Sequence, residues 1–169
     1  MKTSTHRVVH CAVVTISDTR TTDTDSSGGA MLQMLENAGH AVTQYTIVPD
    51  EHERIVLALS TALEDPDVQI ILMNGGTGIS PRDVTVETVQ PLFDKELVGF
   101  GELFRMLSYH EEIGSASLLS RATAGVINNK VVFCTPGSTK AVKLAMERLI
   151  LPELVHLINE IEKGGTKNE

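Results

Sequence analysis

The chain has 169 residues, 41% of them hydrophobic and 4% aromatic, with a formal net charge of −8 and a pI near 5.2. That length suits one ordinary domain, residues 1–169, built around a single core. The acidic balance argues against nucleic acid or an anionic membrane surface as a partner, since both need clustered Lys and Arg. No hydrophobic run approaches membrane-spanning length, and the N-terminal MKTSTHR lacks the apolar core of a signal peptide, so a cytoplasmic protein is expected. Cys11 and Cys134 fall in predicted strands, form no C-x-x-C, and read as buried free thiols. The six histidines (6, 10, 40, 52, 110 and 156) show no metal-ligand spacing.

Val8 to Ile16, VVHCAVVTI, is β-branched and almost wholly apolar, the pattern of a central strand. The polar loop after it, beginning at Ser17-Asp18, leads to a helix capped by Ser26 or Ser27 and terminated by Gly39, with Met31, Leu32, Met34, Leu35 and Ala38 on one face. Ser17, Asp18 and Asp25 then lie beyond a strand's carboxyl end, where they fit either a ligand crevice or ordinary loop chemistry. A second strand, Ala41 to Val48, closes at Pro49-Asp50, and Asp50-Glu51-His52-Glu53 has the spacing of a helix N-cap with an acidic third residue. Asp50 is thus accounted for as a cap, and a metal-ligand role is its rival. Ile55, Leu59, Ala62 and Leu63 give the next helix its buried stripe. The alternation of strand and helix predicts right-handed crossovers, a parallel sheet and helices on both faces.

The stretch Val68 to Thr85, VQIILMNGGTGISPRDVT, reads as a buried strand, a glycine turn and a helix capped by Thr85. It is neither a Walker A loop, lacking Gly-Lys-[Ser/Thr], nor the dinucleotide fingerprint, having Pro81 where the third glycine should stand. A tight turn that merely needs glycine would explain Gly75, Gly76 and Gly78. Arg82 and Asp83 beside them, a cation for phosphate and a carboxylate for Mg²⁺, turn the stretch into a joint signal for an anion site.

Beyond Thr85, Val86, Val89 and Leu92 mark a helix that Pro91 bends or ends. Gly99 to Tyr109 gathers two of the four Phe and one of the two Tyr on a helix-like segment, where core packing and a subunit interface fit equally. Arg105 and Arg121 suit either a positive wall for the crevice or plain ion pairs. Asn128-Asn129 between two apolar runs predicts a β-hairpin, hence an antiparallel addition to the sheet. Thr135-Pro136-Gly137-Ser138 opens the last helix, which Pro152 should kink or restart.

Taken in order, Ser17-Asp18, Asp25-x-x-Gly28, Val48-Pro49-Asp50, Gly75-Gly76-Thr77-Gly78 with Arg82-Asp83-Val84-Thr85, Gly99-Phe100-Gly101-Glu102 and Pro136-Gly137-Ser138 resemble the MogA/MoaB family of molybdenum cofactor biosynthesis proteins. The likeness runs from about residue 7 to 162, and Thr139 after the Pro-Gly-Ser turn is similar to the MoaB branch rather than the adenylyltransferase branch. The resemblance implies a three-layer α/β/α sandwich, a mostly parallel sheet with one antiparallel strand, and homotrimers or homohexamers. It implies Mg²⁺-dependent adenylyl transfer from ATP to molybdopterin, the alternative being a non-catalytic scaffold or carrier of the same ligands, with other proteins of the pathway as partners. By the same resemblance, Asp50 and Asp83 would be the catalytic acids and the Mg²⁺ ligands. Ser17, Asp18, Gly75, Gly76, Thr77, Gly78, Arg82, Pro136, Gly137 and Ser138 would bind the substrates.

Overall fold

A computed structural model describes residues 6–163, and its architecture follows from strands whose two faces are both apolar. In β1 (His10–Ile16), β3 (Ile70–Asn74) and β6 (Lys130–Thr135) successive side chains alternate between two cores. Cys11, Val13, Ile70, Leu72, Val131 and Phe133 enter one core, and Ala12, Val14, Ile71, Met73, Val132 and Cys134 enter the other. A period of two with apolar residues on both sides requires a covering layer on each face. The first core is covered by α1 (Ser26–Asn37), α4 (Val98–Ser108), α5 (Thr139–Ala145) and α6 (Leu151–Glu162); the second is covered chiefly by α2 (His52–Glu64), with Val89 of α3 (Thr85–Val89). The three-layer sandwich expected from the sequence is therefore present.

The sheet has six strands in the order β2-β1-β3-β6-β5-β4, with β2 at Ala41–Val48, β4 at Lys95–Glu96 and β5 at Thr123–Ile127. The first four are mutually parallel, and β5 runs against both β6 and β4. The hairpin turns at Asn128 (φ 49°) and Asn129 (φ 62°), two positive-φ residues of the kind a two-residue loop demands. The short β4 carries too little pattern to be read from sequence. From β1 the chain moves to one side of the sheet, and from β3 it returns towards β6 on the other. The β1–β3 boundary is thus the topological switch point, where a crevice opens at the carboxyl ends of the strands.

Helix ends correct several expectations. Asp25, not Ser26 or Ser27, caps α1, its carboxylate accepting the Gly28 N–H at 3.0 Å. Gly39 (φ 82°) does end that helix, with the Gly39 and His40 N–H groups closing back on Glu36 and Leu35. Asp50 does not cap α2, whose N-cap is Glu51 without a side-chain bond. Thr85 does not cap α3 either; it is the first helical residue, and its hydroxyl donates to the Gly75 carbonyl at 2.9 Å. The aromatic-rich helix divides its residues: Phe100 and Phe104 pack in the core, while Leu103, Met106 and Tyr109 are exposed. A π-helical segment, Met146–Ile150, joins α5 to α6 without a break, and Pro152 lies just beyond it at the start of α6.

Candidate functional site

The switch-point crevice is a cavity of about 660 Å³. The end of β1 contributes Thr15, Ile16 and Ser17; the end of β3 contributes Asn74 and the turn Gly75-Gly76-Thr77-Gly78; and the end of β6 contributes Pro136, Gly137 and Ser138. Asp50, from the end of β2, and Asp83 reach the same wall. The far side is closed by Phe104 and Ser108 of α4 and by the segment that follows it, through Glu112, Ile113, Ala116 and Leu119. Ten residues singled out from the sequence therefore meet in one place: Ser17, Asp50, Gly75, Gly76, Thr77, Gly78, Asp83, Pro136, Gly137 and Ser138.

The glycine turn has a steric reason. Gly75 and Gly76 hold φ of 104° and 71°, and a Cβ on Gly75 would collide with the Ile16 carbonyl. A Cβ on Gly76 would strike the Thr85 hydroxyl and lie 3.2 Å from Asp50 Oδ1, and one on Gly78 would lie 2.8 Å from Asp83 Oδ2. Both acids are thus packed against the turn. Ser138 is the N-cap of α5, its hydroxyl accepting the Ala141 N–H at 3.2 Å.

Asp18 and Arg82 do not line the cavity, against expectation. The Arg82 guanidinium is committed to Asp18 through two bonds, Nε to Oδ2 at 3.0 Å and Nη2 to Oδ1 at 2.8 Å, and Asp18 Oδ1 also accepts the Asp50 N–H at 3.0 Å. The pair ties the β1 loop to the residues after the glycine turn and fixes the backbone of Asp50. Arg105 donates to the carbonyls of Ser120 and Ala122, and Arg121 to the Gly78 carbonyl while pairing with Glu87. Neither reaches the cavity wall; Arg121 braces the glycine turn from outside.

Electrostatics separates the acids. Burial, then the negative charges of Asp18 and Asp83, push the Asp50 carboxyl up from its ordinary value despite Arg82. The Arg82 hydrogen bond holds Asp18 below the usual carboxylate range. The thiols of Cys11 and Cys134 are both buried and free, pushed up to about 12 by burial. Among the described residues no group of three His, Cys, Asp or Glu side chains is placed to hold a metal, and no helix is long and apolar enough to cross a membrane.

Comparison with known proteins decides the family. Residues 12–156 match the family model of a probable molybdopterin binding domain. The molybdenum cofactor biosynthesis protein B of Bacillus subtilis (strain 168) is 56% identical over 156 residues, 92% of each chain. The chain belongs to the MoaB branch of the MogA/MoaB family. A crystal structure of a molybdenum cofactor biosynthesis protein B superposes with a TM-score of 0.91 at 55% identity, covering 93% of this chain and 98% of the other. The structure of the tungsten cofactor synthesizing protein MoaB from Pyrococcus furiosus superposes at 0.83 with 39% identity, covering 92% and 98%.

Against this MoaB frame, sequence reasoning missed Arg20, Asn74, Thr15 and Lys140, all on the cavity wall. Asn74 and Thr15 carried a usable signal, since each is a polar residue near the end of an otherwise apolar buried strand. Arg20 and Lys140 gave none: one sits in a polar loop, the other in a helix's first turn, and only the fold brings them together.

Proposed function

We propose that this chain binds molybdopterin and adenylylates it with MgATP, giving adenylyl-molybdopterin and pyrophosphate. What carries the reading is one cavity of about 660 Å³ that joins a glycine phosphate cradle to two acids, one of them, Asp50, raised by burial and by its acidic neighbours. Such a carboxylate pair suits Mg²⁺, a hard cation bound through one or two carboxylates plus substrate phosphates. The ion would neutralise phosphate charge and orient the reacting groups. A phosphate oxygen of molybdopterin attacks the α-phosphorus of ATP, the bond to the bridging oxygen of the β-phosphate breaks, and pyrophosphate leaves. The nucleophile is already anionic, so no general base is required. The backbone N–H groups of Gly75 to Gly78 would hold phosphate, and Ser17 and Ser138 stand on either side of them.

The test is single-turnover transfer with purified protein, molybdopterin, ATP and Mg²⁺, following adenylylated product. Asp83→Asn should lower the rate by ~10²-fold or more, with the melting temperature little changed. Wild-type protein that binds molybdopterin yet forms no product would be a carrier rather than a transferase.

The same reading makes the chain a cytoplasmic, single-domain protein working beside others of the pathway, as a homotrimer or homohexamer. The exposed Val98, Leu103, Met106, Tyr109, Ile113 and Leu118, around α4 and the segment after it, support assembly. Sedimentation velocity should give a trimer or larger, and Met106→Glu should shift it towards monomer.

A further inference from the structure

We infer that Arg20 is an anion-binding residue of this cavity, held by the buried Asp25 so as to take the phosphate monoester of the acceptor substrate without a metal ion. The assignment deepens the function proposed above and rests on it for the identity of the acceptor.

Arg20 follows the turn after β1, where Ser17 Oγ accepts the N–H groups of Thr19 and Arg20 at 3.2 Å each. Its side chain is only 28% exposed and forms part of the cavity wall. Nη1 donates to Ser26 Oγ at 3.0 Å and Ser27 Oγ at 3.1 Å, and lies 3.5 Å from Asp25 Oδ1; Nη2 donates to the Gly137 carbonyl at 3.3 Å. A guanidinium has five N–H donors. Those on Nη1 are engaged, whereas Nε and the second Nη2 hydrogen have no acceptor among the described residues. Nε and one Nη hydrogen are donors with which a guanidinium grips two oxygens of a phosphate.

Asp25 is the reason the guanidinium is fixed. Its side chain is fully buried, and it accepts from the Gly28 N–H at 3.0 Å, Ser27 Oγ at 3.3 Å and Tyr45 Oη at 2.5 Å. A Cβ on Gly28 would collide with this carboxylate, which explains the glycine three residues on. Burial opposes ionisation, but the bonds from Thr15, Tyr45, Gly28 and Ser27 outweigh it and hold the carboxyl below its ordinary value. Asp25 therefore stays charged through its own donors, and Arg20 is not needed to keep it so. The network continues from Ser27 Oγ to Asn74 Oδ1 at 2.8 Å and from Asn74 Nδ2 to Thr15 Oγ1 at 3.0 Å, anchoring Arg20 to the ends of β1 and β3. An arginine ordered in advance loses little freedom on binding.

The position also separates it from the acid pair. The charges acting on Asp50 are those of Asp18, Asp83 and Arg82, whereas Arg20 has Asp25, Ser26, Ser27 and Gly137 as its partners. Lys140, the other cation on the wall, is paired with Glu112 at 2.7 Å. The cavity thus has an acidic corner, which draws a polyphosphate through a dication, and a cationic corner that meets a monoester directly.

Calorimetry without Mg²⁺ on wild type, Arg20→Gln and Asp25→Asn tests this, using inorganic phosphate, molybdopterin and dephosphorylated molybdopterin as probes. Arg20→Gln should weaken phosphate and molybdopterin by ~10-fold or more and leave the dephosphorylated pterin unaffected. Asp25→Asn, in which asparagine still caps α1, should give a smaller loss of the same kind. Equal affinity of Arg20→Gln and wild type for molybdopterin would overturn the inference and leave the proposed function standing. Equal losses for the phosphorylated and dephosphorylated pterins would overturn it too, marking Arg20 as structural, as would a loss confined to Mg²⁺-dependent ATP binding. Phosphate binding that depends on Arg20, in a protein that does not bind molybdopterin, would uphold the anion site and refute the pterin reading.

Discussion

Two aspartates at the carboxyl end of the sheet meet burial in opposite ways. Asp25 is 4% exposed yet held below its ordinary pKa, because hydroxyls and a backbone N–H saturate it. Asp50 is less buried yet raised, because burial and two neighbouring carboxylates act on it with little compensation. Burial alone therefore does not mark a functional acid. A carboxylate whose oxygens already have donors is finished as a structural element, and one surrounded by like charge is left wanting a cation.

Removing the saturated acid should do the larger damage to folding. Asp25→Ala deletes an N-cap and strands the buried Gly28 N–H and the Tyr45 hydroxyl, which should cost about 3 kcal/mol. Urea unfolding measures this directly. A loss under ~1 kcal/mol would mean that water replaces the carboxylate and that the network is not the anchor described for Arg20.

The saturated corner was the less legible of the two in the sequence. Its members, Thr15, Arg20, Asp25, Ser27, Tyr45 and Asn74, come from one loop, three strands and a helix, and none stands in a spacing that announces the others. The acidic corner could be read because Asp50 directly follows Pro49 and Asp83 lies five residues after Gly78, the end of the glycine run. The sheet was legible for a related reason: β1, β3 and β6 are apolar through their centres, and Asn128-Asn129 fixes the one antiparallel pairing with β6. What local pattern concealed was competition for side chains. Asp50 and Thr85 have the spacing of caps, but Asp50 faces the cavity and the Thr85 hydroxyl is taken by the Gly75 carbonyl. Arg82 has the look of a phosphate ligand, but Asp18 reaches it first.

The unsaturated corner should respond to Asp50→Asn in the opposite sense to Asp25→Ala. A carboxyl raised by folding contributes stability that is full below its unfolded pKa and is lost as pH rises through the folded value. Metal-free wild type should therefore lose this contribution as pH rises above the ordinary carboxylate value of about 4, and Asp50→Asn should not. At pH 7 the variant should be as stable as wild type or up to ~1 kcal/mol more so, because a like-charge repulsion is gone. Because Asp50 caps no helix, the attraction of Arg82 is the charge that offsets part of the gain. In the same variant Mn²⁺, used as a spectroscopic stand-in for Mg²⁺, should bind at least ~10-fold more weakly in the presence of ATP. Undiminished binding would remove Asp50 from the ligand set.

The smallest change sharpens the comparison most, because it leaves both acids in place. Tyr45→Phe removes one donor from Asp25 and should cost about 1 kcal/mol at neutral pH. With that donor gone, the folded pKa of Asp25 moves back towards its unfolded value. A depressed carboxyl supplies stability above its unfolded pKa and loses it as pH falls through the folded one, so a smaller depression leaves less to lose. The difference in stability between pH 6 and pH 3 should therefore be smaller in Tyr45→Phe than in wild type. An unchanged acid profile would mean that the Gly28, Ser27 and Thr15 donors already saturate Asp25 and that the tyrosine serves only to pack the open edge strand β2 against α1.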